Sequence, residues 1–235
     1  MQKVLIVDDD PEVLCAVEDA LSDSGIFVCT ATDGQSALTS AKDNAPDLVV
    51  LDIDLPRGMS ESGERLDGVG VLKHLRRVSD IGVLMLTATD LTSMKILALE
   101  SGADDYLTKP FDPGELLARV QSILRRKQLT QKEEGVITFG ELDVHVGARK
   151  VFLTKKEVEL TRIEFDLLLT MVRRPGQAFT RLQLVENVWD NISEDDRLVD
   201  THISRLRKKI ELDPSRPQLV TTVRGIGYRL EKHRD

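Results

Sequence analysis

Three residue types that together can handle a phosphoryl group stand at the ends of four apolar runs. Asp8, Asp9 and Asp10 follow Val4–Val7, Asp52 closes PDLVVLD, Thr87 closes GVLMLT, and Lys109 follows DYLT. Carboxylates gathered at one place repel each other, and a hard divalent cation relieves that repulsion. Mg2+ takes oxygen ligands and keeps several waters, so it suits such a site. A cation, a carboxylate, a hydroxyl and an ammonium make up the chemistry of phosphoryl transfer: the metal and the lysine neutralise phosphoryl oxygens, and the threonine donates a hydrogen bond to one. Taken singly, each residue has a plainer reading. Asp8–Asp10 are acids favoured by a helix dipole, Thr87 is a strand or cap residue, Lys109 is solvated, and Tyr106 is core. The weight lies in their joint occurrence at successive run ends.

Those runs must be strands for the residues to meet. The patterning alternates short apolar runs (Val4–Val7, Phe27–Ala31, Asp47–Asp54, Gly82–Ala88, Asp105–Thr108) with helical spacing. Val13, Leu14, Val17, Ala20 and Leu21 define the first helix, with Pro11 near its start and Gly25 past its end. Further helices are expected at about Gly34–Asn44, Val69–Arg77, Thr92–Gly102 and Pro113–Arg126. Five strand–helix pairs predict an α/β fold, a doubly wound five-stranded parallel sheet with helices on both faces. Ligands of such a sheet sit at the carboxyl ends of its strands. No G-x-G-x-x-G follows the first strand, which disfavours a dinucleotide site.

At these residues the sequence resembles the receiver domain of a two-component response regulator. The resemblance rests on Asp8–Asp9, PDLVVLDIDLP with Asp52, LTA with Thr87, and DDYLTKPF with Lys109 and Pro110, in that order. It implies that Asp52 takes a phosphoryl group from a histidine kinase. It further implies that Asp8, Asp9 and Asp52 with the backbone carbonyl of Asp54 hold Mg2+ (or Mn2+). Thr87 and Tyr106 would form the switch, and Lys109–Pro110 a cis peptide. A symmetric dimer face is implied on Lys95, Ile96, Leu99, Asp105, Glu115, Ala118 and Arg119, with Lys95 meeting Glu115 and Asp105 meeting Arg119 across a two-fold axis. Asp52-Ile-Asp54 also resembles the nucleophile motif of haloacid-dehalogenase-type phosphatases. Motif order speaks against that enzyme, because here the acidic pair precedes the nucleophile. One departure from receivers is an apparent insertion of about eight residues within Arg57–Leu66, small and charged in composition, read as a mobile surface loop.

Whole-chain arithmetic sets the frame. The chain has 235 residues, 31% charged and 41% hydrophobic, a globular composition long enough for two domains. Its net charge of -8 is an average: residues 1–122 carry 10 Lys and Arg against 22 Asp and Glu, whereas residues 197–234 carry 10 against 4. Such asymmetry predicts two domains with different partners. Cys15 and Cys29 lack metal spacing and read as free thiols of a cytoplasmic protein, and neither a signal peptide nor a membrane span is expected. The expected division is a receiver at 1–124, a linker at 125–135 and a second domain at 136–235.

The back half has another rhythm: strand-like VITF, LDVHV, KVFL and KEVEL, then three helices, then LVTTVRGIGYRL as a hairpin. Thr161–Glu164 and Thr180–Gln183 have capping-box spacing. In the last helix Val199, Ile203, Leu206 and Ile210 form one apolar stripe, while Thr201, Ser204, Arg205, Arg207, Lys208 and Lys209 occupy the rest. A helix buried on one side and basic on the other fits a DNA major groove. LTRIEFDLLLTMVRRPGQAFTRLQLVENVW, VDTHISRLRKKI and TVRGIGYRL resemble the winged-helix domain of the OmpR/PhoB family. That resemblance makes Arg205 the foremost base contact. Arg197, His202, Ser204, Arg207 and Lys208 become phosphate contacts, with Thr201 beside them, and Arg224 with Thr222 a wing contact in the minor groove. The Trp189–Arg197 stretch corresponds to a loop that meets RNA polymerase in activators. The expectation is therefore a phosphorylation-controlled, α/β-plus-winged-helix transcription regulator whose partners are a sensor kinase, promoter DNA and a second copy of itself.

Overall fold

The computed structural model describes residues 2–22, 24–56, 58–59, 63, 65–79, 81–88, 98, 101–131, 135–189 and 197–231. The chain divides into two compact units, Met1–Leu124 and Arg125–Asp235.

In the first unit five strands, β1 (Lys3–Val7), β2 (Phe27–Ala31), β3 (Leu48–Asp52), β4 (Gly82–Thr87) and β5 (Asp105–Thr108), form one sheet in the order β2-β1-β3-β4-β5. Every pairing is parallel. The three central strands are buried almost throughout, which is why they read as continuous apolar runs; of the edge strands, β5 alternates in burial and β2 is largely open except at Ala31. The helices are α1 (Pro11–Ser22), α2 (Gly34–Asn44), α3 (Gly68–Val78) and α4 (Pro113–Gln131). Most of the helix expected at Thr92–Gly102 lies outside the described residues; Ala98 and Ser101 are helical. Val4, Ile6, Val50, Leu84 and Leu86 pack with Val17, Leu21, Leu116 and Val120 on one face of the sheet. The strand order reverses between β1 and β3, and the crevice at such a switch point is where this fold places ligands.

The helix expected to end at Arg126 runs on to Gln131, into the segment read as linker. Arg125–Gln131 contains neither Gly nor Pro and is rich in good helix formers, so nothing local stops it.

The second unit opens with a four-stranded antiparallel sheet, β6 (Val136–Phe139), β7 (Leu142–His145), β8 (Lys150–Leu153) and β9 (Lys156–Val158), in sequence order. Helices α5 (Arg162–Val172), α6 (Arg181–Trp189) and α7 (Arg197–Ile210) follow, with β11 (Val220–Val223) and β12 (Gly227–Leu230) as the terminal hairpin. Both expected capping boxes form: Thr161 with Glu164, and Thr180 with Gln183, whose Oε1 accepts from Thr180 N at 2.9 Å. A three-residue strand, β10 (Ala178–Thr180), pairs antiparallel with β12 and makes the hairpin a three-stranded sheet. Arg149 ties the first sheet to α5: it meets Asp166 at 2.8 Å and lies 4.5 Å over the Phe165 ring.

Candidate phosphoacceptor and nucleic-acid sites

The three acids after β1 divide by role. Asp10 caps α1, its Oδ1 accepting from Glu12 N at 2.8 Å, so the plain helix-terminus reading holds for that residue. Asp8 is fully buried, and its Oδ1 accepts from Asp10 N at 3.0 Å. Asp9 is exposed. Among the described residues, Asp8, Asp9 and Asp52 offer carboxylate oxygens that all lie within 4.8 Å of one another. Lys109 closes the group from β5, its Nζ 2.6 Å from Asp8 Oδ2 and 3.0 Å from Asp52 Oδ1. Three carboxylates against one ammonium leave two formal negative charges. That surplus, on oxygen donors alone, fits a hard divalent cation such as Mg2+.

Asp52 is 2% exposed. Burial raises its pKa, as do the charges of Asp8 and Asp54, against the pull of Lys109. Burial would lower the Lys109 pKa, but its bonds to Asp8 and Asp52 outweigh that and raise it, so the lysine stays charged. Thr87, at the end of β4, is 1% exposed, and Tyr106 on β5 is half-buried. Lys109–Pro110 is cis. Asp54 is exposed.

Gly68 explains how the chain returns to this site. A Cβ there would lie 2.0 Å from the Asp52 carbonyl oxygen, so only glycine lets α3 start against the end of β3. The preceding insertion is anchored at both ends rather than slack: Met59 bridges Arg65, Leu66 N donates to Gly58 O at 2.9 Å, and Leu66 is 1% exposed. Burying Leu66 supplies the apolar contact that composition alone did not reveal.

On the expected dimer face, Lys95, Ile96 and Leu99 lie outside the described residues. Asp105 and Arg119, expected to pair between two copies, meet within one chain at 2.6 Å, and Arg119 also meets Glu115 at 2.6 Å. Arg119 is buried enough that these partners, not solvent, balance its charge; they raise its pKa against the opposing effect of burial. Ala118 is half-buried beside them.

In the second unit, α7 turns Leu198, Val199, Ile203, Leu206 and Ile210 inward. Ser204 and Lys208 are exposed and Thr201 half-exposed, so 201, 204 and 208 form the open stripe at helical spacing. Arg197 opens the helix, but its side chain is outside the described residues. Arg224 is exposed at the hairpin turn, next to Gly225 with φ 74°.

Four of the expected DNA contacts have partners or burial within the chain itself. His202 is fully buried, with its ring centroid 5.7 Å from that of Trp189, so in this structure it packs in the core. Arg207 donates to the Val220 carbonyl at 2.8 Å and to Thr222 Oγ1 at 2.9 Å, which engages both residues in holding the hairpin. Arg205 pairs with the fully buried Glu164 at 3.2 Å, and its side chain is only 17% exposed. Glu164 also takes Lys209 at 2.7 Å and caps α5 through Thr161 N at 2.8 Å. Sequence reading found Glu164 as a capping residue but not as the acid that anchors α7, because its partners lie far along the chain. Asp200, Arg181 and Tyr228 were likewise missed. Of the Trp189–Arg197 stretch expected to meet RNA polymerase, residues 190–196 lie outside the described residues.

Comparison with known proteins agrees with both halves. The response regulator receiver domain matches residues 4–121, and the C-terminal domain of transcriptional regulatory proteins matches residues 155–230. The DNA-binding response regulator MtrA of Mycolicibacterium smegmatis is 43% identical over 229 residues, covering 97% of this chain and 96% of its own. The alkaline phosphatase synthesis transcriptional regulatory protein PhoP of Bacillus subtilis is 41% identical over 241 residues, covering 98% and 97%. The crystal structure of DrrB, an OmpR/PhoB homolog from Thermotoga maritima, aligns over 98% of this chain and 99% of its own, with a TM-score of 0.51 and 34% identity. A receiver fold carrying an acidic cluster, followed by a winged helix, is thus matched along essentially its whole length: the chain belongs to the OmpR/PhoB-type response regulators, a family of DNA-binding transcriptional regulators and not of turnover enzymes.

Proposed function

We propose that Asp52 accepts a phosphoryl group from a histidine kinase, and that this modification controls DNA binding through dimerisation. The observation that carries the reading is the juxtaposition at the sheet's carboxyl edge: a buried Asp52, a lysine at 3.0 Å, and two further carboxylates within 4.8 Å. A carboxylate oxygen of Asp52 would attack phosphorus as the bond to the kinase histidine breaks, giving an aspartyl phosphate. Mg2+ (or Mn2+) held by Asp8, Asp9, Asp52 and the Asp54 carbonyl would neutralise phosphoryl oxygens, as would Lys109. Thr87 would bond to the new group, with Tyr106 following it. Slow hydrolysis of the aspartyl phosphate by water would reset the protein.

Dimerisation would use the face carrying Asp105, Glu115, Ala118 and Arg119, together with Lys95, Ile96 and Leu99. Arg119 would share or exchange its internal partners there. Pairing two winged-helix units makes the second half-site contact intramolecular and so raises affinity on tandem promoter sites. On the DNA side, Thr201, Ser204 and Lys208 would face the major groove together with Arg197, and Arg224 the minor groove. The chain would act in the cytoplasm; among the described residues no helix is long and apolar enough to cross a membrane.

Treatment with acetyl phosphate and Mg2+ should add one phosphoryl group to the wild type and none to Asp52→Asn, read by intact mass. Beryllofluoride with Mg2+ should then raise both the dimer fraction and DNA affinity. Uptake without any change in oligomer or affinity would instead favour a constitutive DNA binder.

A further inference from the structure

The phenol of Tyr228, on β12, is approached by three side chains from two helical elements. Its hydroxyl donates to Asp200 Oδ1 at 2.7 Å. The guanidinium carbons of Arg181 and Arg207 each lie 5.3 Å from the ring centroid, within cation–π reach. Arg181, the first residue of α6, also donates from Nε to the same Asp200 oxygen at 2.7 Å. Arg207 continues to Val220 and Thr222 on β11. Tyr228 stands in register with Thr222 on one side and Phe179 of β10 on the other. One cluster therefore joins the start of α6, the recognition helix α7 and all three strands of the hairpin sheet.

Asp200 is an odd residue for its place. It sits in the first turn of α7, 47% exposed, next to the stripe proposed to face DNA, where a carboxylate would repel phosphate. The helix dipole favours an acid in a first turn. The dipole does not explain why a tyrosine hydroxyl and an arginine from two other elements converge on one of its oxygens.

We propose that Asp200 is a positioning residue for DNA recognition: by holding Tyr228 and Arg181 on one carboxylate oxygen, it fixes the angle between the hairpin and the recognition helix. Arg224 and the Thr201, Ser204, Lys208 stripe then meet the duplex in a single register. The inference rests on the DNA-binding activity of the family and is independent of phosphorylation at Asp52.

The test uses the full-length protein and two DNA probes. One is a duplex enriched by the wild type from a random-sequence pool; the other is poly(dI-dC). Charge alone predicts that Asp200→Asn, which removes an acid, binds both probes more tightly. The brace predicts the reverse on the selected duplex. There the Kd should rise about tenfold, the loss of a hydrogen bond to a charged group, while affinity for poly(dI-dC) holds or rises. Tyr228→Phe keeps the ring and every charge, so it should show the same fall in specificity ratio. Asp200→Glu, which can still accept from both donors, should recover part of it. An unchanged ratio in Asp200→Asn and Tyr228→Phe overturns the proposal; if Asp200→Asn fails to fold, Tyr228→Phe alone decides it.

Discussion

Lys109 stands 3.0 Å from Asp52 although β4 separates the strands that carry them, and the same ammonium reaches Asp8 at 2.6 Å. One side chain thus bridges the ends of β1, β3 and β5 and offsets the repulsion between their carboxylates.

Replacing Lys109 with Met should therefore lower the stability of the metal-free receiver by about 1–3 kcal/mol, since it leaves buried carboxylates without their cation. Mg2+ should stabilise the variant more than the wild type, because metal is then the sole counter-charge at the cluster. Urea titrations with and without Mg2+ measure both effects. An equal Mg2+ increment in the two proteins would remove Lys109 from this electrostatic role.

Gly68 is a packing constraint on Asp52. With its Cβ position 2.0 Å from the Asp52 carbonyl oxygen, Gly68→Ala must push α3 and β3 apart. We expect a loss of about 1–3 kcal/mol from overpacking, together with slower phosphoryl uptake as Asp52 shifts. Gly25→Ala is the contrast. Its site has no atoms in the way but φ is 70°, so it should cost about 1 kcal/mol in stability and leave uptake unchanged.

The recognition helix separates into anchored and open cations. Lys208→Ala should weaken binding to all sequences alike and reduce the salt slope by about one. Arg205→Ala should instead lower the melting temperature of the winged-helix unit, because the buried Glu164 loses one of its two cations. A relaxed base preference at one position, with unchanged stability, would return Arg205 to the role of base reader.

Tyr228 gives a pH signature. Burial, and then its bond to Asp200, push its pKa from the usual 10 up to about 12. The folded state therefore keeps a proton that the unfolded chain releases near pH 10. The associated stability is fully present below about pH 10 and is lost as pH rises towards 12. The stability difference between wild type and Tyr228→Phe should be flat up to about pH 10 and shrink above it. A difference that stays constant to about pH 11.5 would contradict the raised pKa of Tyr228 in the folded state.

The hydrophobic runs and their terminal residues were enough to read the parallel sheet, the carboxyl-edge placement of Asp8, Asp52, Thr87 and Lys109, and the two capping boxes. Each is a local signal: a buried strand needs a short apolar run, and a cap needs a hydroxyl three residues before a carboxyl or amide. β10 escaped because three residues carry no period, and its strand character comes only from pairing with β12. α4 runs past the expected Arg126 because Arg125–Gln131, polar enough to suggest a linker, is also rich in helix formers.

The roles of individual cations and of His202 required the fold. The sequence by itself determined that α7 is amphipathic and basic, since periodicity fixes which residues share a face. It did not determine which basic residues stay free. Glu164 claims Arg205 and Lys209, the hairpin claims Arg207, and the core beside Trp189 claims His202. Those partners lie far away in the chain and are brought near only by packing. Charge pairing acts through space over a few ångströms and leaves no period in the sequence, so the tertiary structure alone decided it.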